Sequence, residues 1–79
     1  MVDPETVVET ASETANRYVF SQLEKSAVED LEVTASFEDE VLEVEVSVVA
    51  PDAETDLERL ATDATRLAGE AVDALLEKS

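Results

Sequence analysis

Acidic side chains are the only groups abundant enough here to do acid–base or metal chemistry, with 21 Asp and Glu among 79 residues. Glu43 and Glu45 are two apart, so on a strand they share one face, within reach of Glu32 on a neighbouring strand. A general acid/base pair needs a cleft that drives two carboxyl pKa values apart, and a solvated strand face supplies none. Asp52-x-Glu54-x-Asp56-x-Glu58 alternates acids in the manner of a calcium loop. An EF-hand loop requires Gly at its sixth position and a bidentate Glu at its twelfth, and those positions hold Leu57 and Asp63. Glu38-Asp39-Glu40 gathers three acids at a turn and reads as a solubilising tip. Nucleophilic chemistry has no activating base, because His is absent and no Lys is well placed beside a Ser or Thr. Cys is absent too, and a single glycine, Gly69, cannot build a phosphate cradle. The expectation is therefore no catalytic residue, no metal site and no cofactor.

The acids then need another explanation. The formal charge is −16, from 21 acidic against five basic residues, yet 44% of the chain is apolar. That apolar fraction argues against disorder, which pairs high charge with low hydrophobicity. A specific acidic binding surface would gather its charge, whereas these acids are spread along the whole chain. Only Lys25 and Lys78 are lysines, Ile is absent, and Ala and Val supply 23 of the 35 apolar residues. This pattern reads as adaptation to molar salt, where a Debye length of about 3 Å screens self-repulsion. Five scattered cations cannot neutralise a run of phosphates, so direct nucleic-acid binding is not expected. An anionic membrane surface is disfavoured for the same reason. No apolar run reaches the length of a spanning helix, and Met1-Val2-Asp3-Pro4 lacks the basic-then-apolar layout of a leader. The expected location is the cytoplasm.

The elements that position these side chains follow from the apolar periods. Asp3-Pro4 reads as an N-cap followed by proline at the first helical position. Val7, Val8, Ala11, Ala15, Tyr18, Val19 and Leu23 then recur at three- and four-residue steps, which predicts an amphipathic helix over about 4–24. The period changes to two in the middle of the chain. Leu31, Val33, Ala35 and Phe37 alternate with polar residues, as do Leu42, Val44, Val46 and Val48, predicting strands over about 29–38 and 41–50. A two-residue turn at Asp39-Glu40 pairs residues whose numbers sum to 79, so Phe37 meets Leu42 and Leu31 meets Val48. Every apolar residue then faces an apolar partner, and a slip by one would destroy the match. The turn is imperfect, since a type I′ hairpin wants Gly where Glu40 stands, which implies strain or a longer loop.

Pro51 closes the second strand. Thr55-x-x-Glu58 forms a capping-box pattern, with Asp52 as an earlier start, and an apolar stripe from Leu57 to Leu76 predicts a helix over about 53–77. The fold class is α+β with order α-β-β-α, two amphipathic helices on one face of an antiparallel hairpin, in one domain spanning 1–79. A two-stranded sheet is marginal alone and leaves both edges open. Self-association into a homodimer is expected, by extending the sheet or by packing the long helices together. Parity sends Val41 and Val49 to the polar face, and Phe20 lies off the first helix's stripe. These three are the candidate interface residues, while Tyr18 and Phe37 read as core.

Three segments carry a resemblance: Tyr18-Val19-Phe20-Ser21, Phe37-Glu38-Asp39-Glu40-Val41-Leu42-Glu43-Val44, and Pro51-Asp52-Ala53-Glu54 with the Ala/Asp-rich helix after it. Through them the chain resembles a family of small proteins from extremely halophilic archaea, grouped as a domain of unknown function. The resemblance implies a cytoplasmic protein of molar-salt cells and carries over no catalytic residue. It also implies that Gly is favoured where this chain has Glu40.

The sequence thus points to a non-catalytic homodimeric interaction or structural protein with an unidentified protein partner. The alternative is an accessory subunit, or a small metal- or ligand-dependent enzyme using surface carboxylates. A module reaching nucleic acid through a basic partner is a third reading. If salt screening permits the fold, helicity measured by circular dichroism falls as KCl drops from molar to about 0.1 M; an unchanged spectrum contradicts the salt-adaptation reading.

Overall fold

The computed structural model describes residues 3–78. Met1, Val2 and Ser79, which the expected domain range and the leader reading include, lie outside the described residues. Helix α1 spans Pro4–Gln22, strand β1 Asp30–Glu38, strand β2 Val41–Val49 and helix α2 Leu57–Lys78. A short 3₁₀ turn, Lys25–Ala27, links α1 to β1. The order is the α-β-β-α expected from the periods.

Helix α1 starts as its sequence dictates. The Asp3 carboxylate accepts a hydrogen bond from the Glu5 N–H at 2.9 Å, and Pro4 occupies the first helical position, where no donor is needed. The helix ends at Gln22 because Leu23 turns extended, with φ −125° and ψ 143°. Helix α2 begins later than either cap expected from the sequence. Asp56, rather than Asp52 or Thr55, caps it, accepting from the Arg59 N–H at 3.2 Å. Pro51 and Asp52 instead form a turn, closed by the Ala53 N–H donating to the Ala50 carbonyl at 3.0 Å. Proline fixes that turn, and the chain needs the intervening residues to climb from the sheet to the helix layer.

The hairpin register is the one the parity argument demands, from Asp30 opposite Val49 to Glu38 opposite Val41. The turn is a tight two-residue one. Asp39 and Glu40 both hold positive φ, 51° and 64°, as type I′ geometry requires. Asp tolerates this region, whereas Glu, with its longer side chain and no local hydrogen bond to the turn, adopts it at a cost. Of the two outcomes expected, strain or a longer loop, the first is realised: the turn stays two residues long, with the strands paired up to Glu38 and Val41.

The core lies mainly between and beneath the helices. Val7, Ala11, Ala15 and Val19 form one buried line on α1, and Leu60, Ala64, Ala68 and Val72 form its counterpart on α2. Four alanines on facing lines allow the helix axes to approach the short end of the usual 8–10 Å range. α1 lies over β1 and α2 over β2. The sheet's inner side chains pack against this core, yet all eight from Leu31 to Val48 stay half-buried. Phe37 is one of these eight, and Tyr18 joins them as a partly buried member of the core.

The strained Glu40 gives a direct test. Glu40→Gly removes the left-handed penalty and should stabilise the fold by about 1 kcal/mol, raising the melting temperature by roughly 4–8 °C. A lowered midpoint would contradict the tight-turn geometry.

Candidate functional site: the free edge of the hairpin

The acids that opened the search for chemistry are held apart by the secondary structure. Glu32, Glu38, Glu43 and Glu45 project from the hairpin face opposite the helices, where every residue is exposed. Glu32 and Glu45 border one shallow concavity with Thr34 and Ser47, open to solvent rather than closed over a substrate. Among the described residues no three acidic side chains converge closely enough to hold a metal ion. The helices spend part of their charge locally. Arg17 pairs with Glu13 at 2.6 Å and Arg66 with Asp63 at 3.3 Å. Both are surface pairs one helical turn apart, worth about 0.3–0.5 kcal/mol each.

Phe20, Val41 and Val49 are all exposed, at 39%, 59% and 43%, but they do not form one patch. Val41 and Val49 sit at opposite ends of β2, roughly 26 Å apart at 3.3 Å per residue, on the open face. Each faces an acid across the ladder, Val41 beside Glu38 and Val49 beside Asp30. Phe20 lies in the helix layer. It falls one step past buried Val19, as Tyr18 falls one step before it, so the two rings leave α1 on opposite flanks. Tyr18 lines a groove with Leu67 of α2; Phe20 therefore faces away from α2.

The two-stranded sheet predicts open edges; what sequence reasoning missed is a groove along the outer edge of β2. A groove of about 410 Å³ separates this edge from α2. Val44, Val46 and Val48 form its floor, and Leu57, Ala61 and Thr65 form its wall. Glu58 stands at the helix rim and Glu45 at the strand rim. A second concavity of about 510 Å³ continues it past Thr65 to Leu42 and round the edge to Thr34 and Ser36. The Thr65 hydroxyl is already committed, donating to the Ala61 carbonyl at 2.9 Å. Gly69 extends the same helix flank one turn beyond Thr65, and a Cβ there would meet nothing within 4 Å.

The backbone of the edge is as informative as its side chains. The sheet has two strands, so β2 bonds to β1 on one side only. In a two-residue hairpin the residues flanking the turn exchange hydrogen bonds. Val41, Glu43, Glu45, Ser47 and Val49 therefore direct their N–H and C=O groups to β1. Leu42, Val44, Val46 and Val48 direct theirs outward into the groove. An edge of this kind, with polar backbone groups above an apolar floor, is equipped to pair with another strand.

These features define a small two-layer α+β protein with an incompletely covered sheet. The chain belongs to the family described as "Protein of unknown function (DUF3194)", whose model matches residues 2–78. It is similar to an uncharacterized protein of Natronomonas pharaonis, 39% identical over 71 residues, which cover 90% of this chain and 84% of that one. A crystal structure from Thermococcus onnurineus NA1 is similar throughout, with a TM-score of 0.80 and 33% identity. That match covers 99% of this chain and 82% of the other. Among the described residues no helix is long and apolar enough to cross a membrane.

The edge geometry has a measurable signature. In the free protein, amide hydrogen exchange should alternate along β2, fast at Leu42, Val44, Val46 and Val48 and slow at Glu43, Glu45 and Ser47. Uniform protection along the strand would mean that the outer edge is already paired.

Proposed function

We propose that this chain is a non-catalytic interaction protein of a molar-salt cytoplasm, and that it works as a homodimer with a further protein partner. The observation that supports this reading is the unfinished sheet. Eight apolar side chains face the helices and none is fully buried, and a domain this small already buries only about 60% of its unfolded surface. The dispersed acids support the salt-adapted setting, and they argue against direct contact with nucleic acid or an anionic membrane.

Of the three candidate interface residues, Phe20 is the best placed for self-association. Val41 and Val49 are embedded in an acidic face, and pairing two such faces would press like charges into direct contact, inside the screening length. Phe20 lies one turn from uncharged Asn16, and the nearby acid Glu13 is already paired with Arg17. A ring of this size contributes 150–250 Å² of contact area when covered.

Size-exclusion chromatography with light scattering in molar KCl tests the proposal. The expected mass is twice 8.5 kDa, reduced to the monomer value by Phe20→Asp. A clean 8.5 kDa species for the unaltered protein would remove the homodimer.

A further inference from the structure

The two layers of this fold do not match in width. Two helices side by side span roughly 20 Å, at 10–12 Å each. Two strands at 4.7–4.9 Å spacing span about half that. The helix pair therefore overhangs the hairpin, and beyond β2 the overhang shelters a space about one strand wide. The groove lined by Val44, Val46, Val48, Leu57 and Ala61 occupies that space.

Ordinary layer spacings argue against a second copy of the chain filling this slot through its own β2. If the alanine contacts bring the helix axes to the ~8 Å end of the general range, α2 lies roughly 4 Å from the hairpin's midline. A twofold axis relating β2 to a partner β2 would lie about 5 Å from that midline. The two α2 helices would then occupy nearly the same line, where packed helices need 8–10 Å. A strand that carries no helix of its own avoids the clash.

The chemistry of the slot describes that strand. On its inner side the slot is lined by the three valines, Leu57 and Ala61, with Thr62 and Thr65, whose hydroxyls already donate to the Glu58 and Ala61 carbonyls; the small Ala61 leaves room for branched apolar side chains. On its outer side the neighbours are Glu43 and Glu45, with Glu58 at the helix rim. Val41 and Val49 mark the two ends of the same outer row. Opposite charges on adjacent strands attract, and like charges repel.

We infer that the β2 edge is a strand-addition site for an extended segment of another protein, in which apolar residues alternate with Lys or Arg. The inference rests on the interaction-protein reading above and gives it a partner chemistry. The segment lies beside β2 as a third strand. Its backbone bonds to Leu42, Val44, Val46 and Val48, its apolar side chains lie under α2, and its cations meet Glu43 and Glu45.

A synthetic nonapeptide of alternating Val and Lys is the probe, with alternating Val and Glu as its control, at a salt concentration that keeps the protein folded. The Val/Lys peptide should bind saturably, roughly tenfold more tightly than the control, and slow amide exchange at Leu42, Val44, Val46 and Val48. Val46→Pro deletes one outward N–H without touching the ladder to β1, and Ala61→Arg fills the slot from the helix side. Each should weaken binding at least about tenfold while exchange at Glu43 and Glu45 stays slow. If Val46→Pro loosens the hairpin, Ala61→Arg decides alone. Equal binding of both peptides, or binding that leaves the four outward amides unprotected, overturns the inference. So does protection of those amides that rises with protein concentration in the absence of peptide, since a second copy would then fill the slot. Loss of the peptide response with an intact Phe20-dependent dimer would sink the slot alone. An intact peptide response on a monomer would sink only the homodimer.

Discussion

Close packing of α1 on α2 through small side chains is the contact from which the other features follow. Ala11 and Ala15 face Ala64 and Ala68, all with no exposed surface. Such residues bury little area apiece, and their benefit is proximity: they bring two helices near enough for Val7, Val19, Leu60 and Val72 to close the core at either end. Even so, two helices at their closest approach are wider than two strands. The hairpin cannot fill the layer beneath them. Half-buried inner side chains, an open β2 edge and a one-strand slot under α2 are all consequences of that single mismatch.

The charge follows a different logic. The acids occupy positions that the apolar periods leave free, on the open face of the hairpin and the outer sides of the helices. None is buried, and only Asp63, beside Arg66, is partly covered, so the fold carries them at little desolvation cost and meets chiefly their mutual repulsion. That repulsion is a property of the solvent as much as of the protein. In the proposed strand addition it would also bear on the partner, since an acidic row beside β2 suits a cationic strand.

Much of this fold is written in local pattern. Period-two alternation and the sum of 79 set the hairpin register, since slipping by one residue would turn the four apolar side chains of one strand to water. Asp3-Pro4 defines the start of α1 because both residues act on the same few backbone groups. The start of α2 is less legible: Asp52, Thr55 and Asp56 are all competent caps, and the choice depends on how the chain leaves Pro51. Parity alone exposes Val41 and Val49, and the helical stripe alone exposes Phe20. The β2 slot has no local signature. It arises from the relative widths of two layers, which no window of sequence contains. Its nearest trace is the small-residue flank of Ala61, Thr65 and Gly69, which reads as ordinary helix surface until β2 is placed beneath it.

The account stands on the sheet being unfinished on its β2 side. The most direct measurement is a structure, by crystallography or NMR, of the protein with the Val/Lys nonapeptide bound. A third strand hydrogen-bonded to Leu42, Val44, Val46 and Val48 beneath α2 is the predicted result. A peptide lying across the acidic open face, with the β2 edge still free, would contradict it.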